Sequence, residues 1–476
     1  MEELKRIIVK GGVISPSELK QVISYAESLG LDALHFGSRQ DILLPEHHFE
    51  TNDLHQQFEK VNSSLVFNTD YQNIVSSYVA SDIFAGTTWL SSAAYLYILE
   101  SFKFNPKLKI NIVDPLQQLV PLFTGNLNYI ASSHEDYWYL YIKVHNWSSY
   151  EYYPLLIYTW DIAKISKAIE EVIDDTEDVE ELQSLISSMI EANSRTIEDK
   201  LKLTFKPFPY YEGMNKMGIN QYWLGLYWRN NRYYLSFLRA FCDFCLDNRI
   251  GKICITPWKS FIVKGVPRSS KLQLEKLLGN SGINIRHSLL ELNWHLPVNN
   301  EEALSLKRDI VRNFDQNDIS TYGLTFGLSH DSTIQNYFTS IVIEKNNVPE
   351  AVLKYGVRPT YNVLYSENFD PNTQKYISYA QDVDKIELSG LLMELSRKYF
   401  EQFDNESVEN NDEESVLSEP QKRHVHQCQD CLTVYDESLG DKNAAVEAFT
   451  PFNNLDENYQ CDVCGSPKKN FILVEI

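Results

Sequence analysis

Apolar positions recur with two periods along the chain, and together they predict a duplicated strand–turn–helix–strand unit. The run Ile7-Ile8-Val9 predicts a short strand and Gly11-Gly12 a turn after it. Ser15, Pro16 and Glu18 make a capping box with proline at the first helical position, so a helix should start there. Leu19, Val22, Ile23 and Ala26 share one face of that helix, and Gly30 closes it. A single returning strand is expected over Ala33–Pro45. The order repeats about 210 residues later, an internal repeat. There Leu224–Trp228 predicts the strand, Asn230-Asn231 the turn, Leu235, Leu238, Phe241 and Cys242 the helix face, and Lys252–Val263 the returning strand.

Each unit leads into a longer stretch of mixed pattern. After the first, Tyr71–Ser77, a helix around Trp89–Phe102 and a strand over Pro106–Val113 are expected. After the second, a like unit begins at Arg286–Leu296, continues through a helix near Ala303–Phe314, and ends in strands Tyr322–Leu328 and Thr339–Glu344. Between them, Ile162, Ile165, Ile169, Val172 and Ile173 have helical spacing, with Glu170, Glu171, Asp174, Asp175, Glu177 and Asp178 on or beyond the polar side. That pattern reads as a solvated amphipathic helix bridging the two halves. Residues 404–420 hold seven acids and no Lys or Arg, too little apolar surface to order themselves, and predict a tether reaching roughly 20–25 Å.

Composition narrows the function classes. A length of 476 residues suits about three domains at ~150 residues each. A formal net charge of −22 argues against nucleic acid and against an anionic membrane surface as partner. No apolar leader follows Met1 and no apolar run reaches a membrane-spanning length, so a cytoplasmic protein is expected. Of seven cysteines, Cys242, Cys245 and Cys254 are an odd set that suits a reducing compartment and reads as small buried hydrophobes. No Walker loop, G-x-G-x-x-G, H-E-x-x-H or G-x-S-x-G motif occurs.

The remaining four cysteines carry the clearest chemistry. Cys428-x2-Cys431 and Cys461-x2-Cys464 form two knuckles whose thiolates can close a tetrahedral site, and spacing alone suits zinc or a single iron equally. Between and after them stand Tyr435-Asp436, Gly440-Asp441, Thr450-Pro451-Phe452, Leu455, Tyr459 and Gly465-x-Pro467-Lys468-x2-Phe471. This stretch resembles rubredoxin nearly position for position. The resemblance implies one iron held by Cys428, Cys431, Cys461 and Cys464 and used for one-electron transfer. Two positions depart from the pattern: Leu432 replaces the usual glycine and Tyr459 the usual tryptophan.

The segment from Gly11 to Gly30 with Arg39-Gln40 after it, and Lys252–Gly265 in the second unit, resemble the ferredoxin-like half-domains of sirohaem-dependent nitrite and sulfite reductases. That resemblance implies paired half-domains forming one pseudo-two-fold barrel, with Arg39 and Lys259 as equivalent remnants of a tetrapyrrole site. A reductase of that family also needs four cysteines for a [4Fe–4S] cluster in the larger domains, where this chain has none. The expected fold is therefore α+β: half-domains at 1–50 and 211–268, reductase-like α/β domains at 51–160 and 269–403, a helical connector at 161–210, an acidic linker at 404–421, and a rubredoxin-like domain at 422–476. The expected function is an electron carrier rather than a stand-alone enzyme, a rubredoxin on a cofactor-depleted reductase scaffold serving a partner nitrite or sulfite reductase. The alternative is an enzyme that binds sirohaem and takes electrons from its own rubredoxin domain.

Overall fold

The computed structural model describes residues 4–45, 66–67, 70–144, 147, 149–227, 229–283, 293–329, 337–347, 358–409, 424–431, 433–437, 440–441, 444, 446, 450–461 and 463–475. They fall into two compact units, a body of residues 1–215 and 222–400 and a small unit of 216–221 and 401–476.

At the centre of the body the two repeats share strands. The helix Pro16–Ser28 begins as its sequence dictates. The Ser15 hydroxyl accepts the Glu18 N–H at 3.1 Å, and the Glu18 carboxylate accepts the Ser15 N–H at 2.9 Å. Its counterpart in the second repeat is Leu235–Asp247. The two helices pack together under a core of Val22, Ile23, Ala26, Phe241, Cys242 and Cys245. Lys20 pairs with Asp243 at 2.6 Å, and Arg239 pairs with Glu27 along their exposed edges.

Each returning segment is a hairpin rather than the single strand expected. In the first, Ala33–Phe36 pairs antiparallel with Ile42–Pro45, and in the second Ile253–Ile255 pairs with Phe261–Pro267. The corners close alike: the Gly37 N–H donates to the Asp41 carbonyl at 2.9 Å, and the Thr256 N–H to the Ser260 carbonyl at 2.9 Å. Gln40 (φ 59°) and Lys259 (φ 58°) both take the left-handed conformation at their corner.

The repeats then exchange strands. Val13–Ile14 pairs with Ile253–Ile255, and Tyr233–Tyr234 pairs with Ala33–Phe36, so each five-stranded sheet is finished by a strand of the other repeat. Tight turns aim the short strands across: Gly11 and Gly12 have φ of 62° and 70°, and Asn230 and Asn231 have 67° and 55°. A Cβ on Gly12 would lie 2.7 Å from the Ile255 carbonyl oxygen, so only glycine allows this approach.

The duplication extends to the larger sheets. In the first, Ile74–Ser76, Ile110–Val113 and Leu127–Ala131 run parallel in chain order, and Tyr137–Ile142 and Leu155–Tyr158 follow antiparallel. In the second, Trp294–His295, Phe326–Ser329 and Ile341–Lys345 are parallel, then Tyr361–Ser366 and Tyr376–Val383 antiparallel. Helices Ser92–Ser101 and Glu301–Gln316 make the matching first crossovers. The beginning of the second unit, Arg286–Glu291 with Leu292, lies outside the described residues.

Two expectations change. The amphipathic helix Ile162–Val172 belongs to the first sheet instead of bridging the halves. Its Ile162, Ile165 and Ile169 are buried, its Ser166 hydroxyl meets the Tyr129 hydroxyl at 2.9 Å, and Ser194–Thr196 beyond it adds a strand to that sheet. The helix Leu388–Glu409 takes in residues 404–409 of the acidic segment, while 410–421 lie outside the described residues. Its buried Leu388, Leu392, Leu395 and Tyr399 recur at helical spacing, and once this face nucleates a helix, propagation into a Glu-containing end is cheap.

One glycine tests the packing of the second repeat. A Cβ on Gly225, in the strand Gln221–Leu226, would lie 1.8 Å from the carbonyl oxygen of buried Tyr211. Gly225→Ala should lower body stability by about 3 kcal/mol or more, read as a lower denaturant midpoint, because backbone must move to admit the methyl.

Candidate metal centre

A strand His424–Cys428 pairs with Val434–Tyr435 on one side and Phe471–Glu475 on the other, which brings both knuckles to one end of a three-stranded sheet. Tyr435, Phe452, Leu455 and Tyr459 form the small core, with Val446 and Phe471 packed on it. The Tyr435 hydroxyl donates to the Thr450 carbonyl at 2.7 Å, and Tyr459, in place of the expected tryptophan, donates to Asp441 Oδ2 at 2.9 Å. Leu432, the other departure, lies outside the described residues.

The knuckles close by the same bond. The Cys428 N–H donates to the Thr433 carbonyl at 2.8 Å, and the Cys461 N–H to the Ser466 carbonyl at 2.7 Å. Gly465, at φ 75°, supplies the left-handed residue of the second. All four sulfurs come within 4.8 Å of one another; Cys428 and Cys464 Sγ are 3.6 Å apart, and Cys431 and Cys461 Sγ 3.4 Å. A cation with bonds of ~2.3 Å to each sulfur fits such a tetrahedron, whose edges are ~3.8 Å. The four cysteines are therefore positioned to bind one metal ion. Cys428 and Cys461 are buried and Cys464 is exposed, so the site is open on one side.

Further donors surround the sulfurs. Backbone N–H groups of Val463 and Cys464 reach Cys461, and that of Thr433 reaches Cys431. Each knuckle also carries a hydroxyl two residues beyond its second cysteine: Thr433 Oγ1 is 3.1 Å from Cys431 Sγ, and Ser466 Oγ 3.0 Å from Cys464 Sγ. Ser466 Oγ donates to Asp430 Oδ2 at 2.5 Å, and Asn470 Nδ2 donates to the same oxygen at 2.9 Å. Thr433, Ser466 and Asp430 belong to no ligand motif, and the equal offset of the two hydroxyls from their cysteines is the one sequence signal that marks them.

The two proposed tetrapyrrole residues sit inside the body. Arg39 is buried and donates through Nη1 to Asn111 Oδ1 (2.6 Å) and through Nη2 to the carbonyls of Asn73 (2.7 Å) and Ile110 (2.9 Å). Lys259 is buried and its Nζ donates to the Leu296 carbonyl. They are not equivalent positions. Lys259 matches Gln40, which ties the Ser76 N–H (2.7 Å) and the Ile255 carbonyl (3.0 Å), whereas Arg39 matches Trp258, whose indole N–H donates to the Leu119 carbonyl at 2.8 Å. Arg39 Nη1 and Nη2 and Lys259 Nζ are thus bonded to the chain's own carbonyls and one side-chain amide, and Arg39 Nε has no partner among the described residues. His295, beside Trp294, packs edge-on against Phe338 at 4.6 Å, and His287 lies outside the described residues. Cys242, Cys245 and Cys254 are buried, as expected of small hydrophobes.

Comparison with known proteins divides along the same line. A solved structure of the Mycobacterium tuberculosis NirA protein aligns with 83% of this chain and 80% of its own at a TM-score of 0.65 and 14% identity, a likeness of fold that agrees with the reductase-like architecture expected from the half-domains. The C-terminal residues are 44% identical to Rubredoxin-2 of Desulfovibrio desulfuricans over 55 residues, 12% of this chain and 89% of that protein. They are 45% identical to a rubredoxin of Synechocystis sp. over 47 residues, 10% of this chain and 41% of that one. The Rubredoxin family itself matches residues 425–471, which hold all four site cysteines. Through this C-terminal domain the chain belongs to the rubredoxin family.

Proposed function

We propose that the chain is an iron-binding electron carrier whose reductase-like body recognises a partner redox protein. The observation that carries the reading is the four-sulfur site within a rubredoxin match, open to solvent at Cys464. Iron bound there supplies one-electron chemistry without substrate rearrangement. The residues around it hold the sulfurs in place, keep Cys428 and Cys461 from water, and leave one edge for a partner's redox centre to approach. The fold of the body and the internal bonding of Arg39 and Lys259 support a scaffold rather than a second cofactor site. A nitrite or sulfite reductase is the partner class that the half-domain resemblance suggests. No helix among the described residues is long and apolar enough to cross a membrane.

The visible spectrum and metal content of the full chain test this. The expected result is about one iron per chain, no acid-labile sulfide, and ferric–thiolate bands alone. Stoichiometric zinc from iron-replete cells would overturn the iron assignment. Macrocycle bands would overturn the scaffold reading in favour of an enzyme that carries sirohaem.

A further inference from the structure

The Ser466 hydroxyl has one hydrogen and two acceptors within reach. Its oxygen is 3.0 Å from Cys464 Sγ and 2.5 Å from Asp430 Oδ2. Thr433 makes the matching contact in the other knuckle, 3.1 Å from Cys431 Sγ, and no carboxylate among the described residues is hydrogen-bonded to it. A metal-bound cysteine is a thiolate and has lost its own proton. In the loaded site, then, a hydroxyl against a sulfur contributes only if it is the donor. An ionised carboxylate is the stronger acceptor of a hydroxyl hydrogen. Asp430 is exposed, and an aspartate in water is ionised at neutral pH. The Asn470 amide, donating to the same Oδ2 at 2.9 Å, holds that oxygen in place beside Ser466.

We propose that Asp430 lowers the reduction potential of the metal centre by drawing the Ser466 hydroxyl hydrogen away from the Cys464 sulfur, while Thr433 gives its hydrogen to Cys431. Hydrogen bonds to the sulfurs favour the reduced, more electron-rich state. The two knuckles, nearly identical in backbone, are therefore unequal in this respect. Asp430 acts through Ser466 and is a positioning residue. Its carboxylate bridges the knuckles, since it lies in the first and binds Ser466 and Asn470 in and beyond the second. The ligand it withholds a bond from is Cys464, the exposed one.

This inference rests on the iron reading above, and a redox titration of the full iron-loaded chain separates the two. Asp430→Asn should raise the ferrous-to-ferric ratio at a fixed solution potential about tenfold, ~59 mV for one electron. In a Ser466→Ala background the same substitution should change that ratio by less than about threefold. What remains there is the loss of one exposed charge, which water and salt screen. Asp430→Ala should shift the potential in the same direction and serves if the asparagine variant loads poorly. An unmoved potential in Asp430→Asn overturns the proposal. So does an equal shift in both backgrounds, which would make the effect one of charge alone. Iron content and ferric–thiolate absorbance are measured on every sample: an unaltered chain that takes up no iron defeats the iron reading, whereas full colour with an unmoved potential defeats only this inference.

Discussion

Serine in place of Cys461 should empty the metal site and loosen residues 424–475, while the body keeps its own unfolding transition. Cys461 is buried, receives two backbone N–H groups at its sulfur, and faces Cys431 across one edge of the tetrahedron. A serine hydroxyl is a poor replacement for a soft thiolate ligand. The core that would have to hold the domain without metal is Tyr435, Phe452, Leu455 and Tyr459 with two partly buried neighbours. Metal binding contributes about 10–16 kcal/mol to the folding of comparably small zinc-bound peptides, far more than so few side chains supply. Iron per chain should fall from about one to near zero, and amide exchange should accelerate across the domain. Exchange in residues 4–45 and 222–283, which have a core of their own, should be unchanged. A coloured, protected domain in the variant would show that three thiolates suffice.

The second large effect concerns a lysine that the body buries for structural reasons. Burial above all brings Lys259 down to about 7, with Asp41 partly opposing it and Lys307 adding a smaller push in the same direction as burial. Because the folded pKa lies below the unfolded one of ~10.4, the unfolded chain holds more protons between pH 7 and 10. The penalty from this lysine is fully present below the folded pKa and is relieved progressively as pH rises from the folded pKa to the unfolded one. Raising the pH from 7 to 9 should therefore stabilise the body by about 2 kcal/mol on account of Lys259. Lys259→Met should remove that increment and make the body more stable at pH 7, less whatever the unpaired Leu296 carbonyl costs. Denaturant midpoints at pH 7 and pH 9 for both forms decide the matter. An unchanged pH response in the methionine variant would mean that Lys259 does not carry it.

The features that the sequence announced are those set by neighbours in the chain. Ser15, Pro16 and Glu18 start a helix by bonds within one turn, and the helix is where they put it. The metal knuckles are likewise local, each closed by a bond spanning five residues, and their pairing followed from ligand chemistry. Strand exchange between the repeats left no such trace. Val13–Ile14 and Tyr233–Tyr234 are too short for any period, and their partners lie more than half a domain away in the chain. The mismatch of Arg39 with Lys259 has a similar origin: matching by charge ignores the corner geometry, where the left-handed residues are Gln40 and Lys259. Neither is a glycine or asparagine, so no residue type marked those corners. The helix Leu388–Glu409 shows the opposite failure. Its apolar spacing was readable, but the run of acids at its end drew attention to disorder instead.

Because each repeat completes the other's sheet, the two five-stranded sheets have a timetable imposed by translation. Val13 and Ile14 find their partners only when Ile253 and Cys254 have left the ribosome. At 5–20 residues per second the wait is roughly 12–50 s, during which the first repeat's edges and the helix face of Val22, Ile23 and Ala26 lack their cover. The nascent first half thus presents an unpaired strand edge and an apolar surface to the cell for far longer than a local hairpin takes to form. Chaperone dependence during synthesis, and aggregation of any product truncated before the second repeat, are built into this topology.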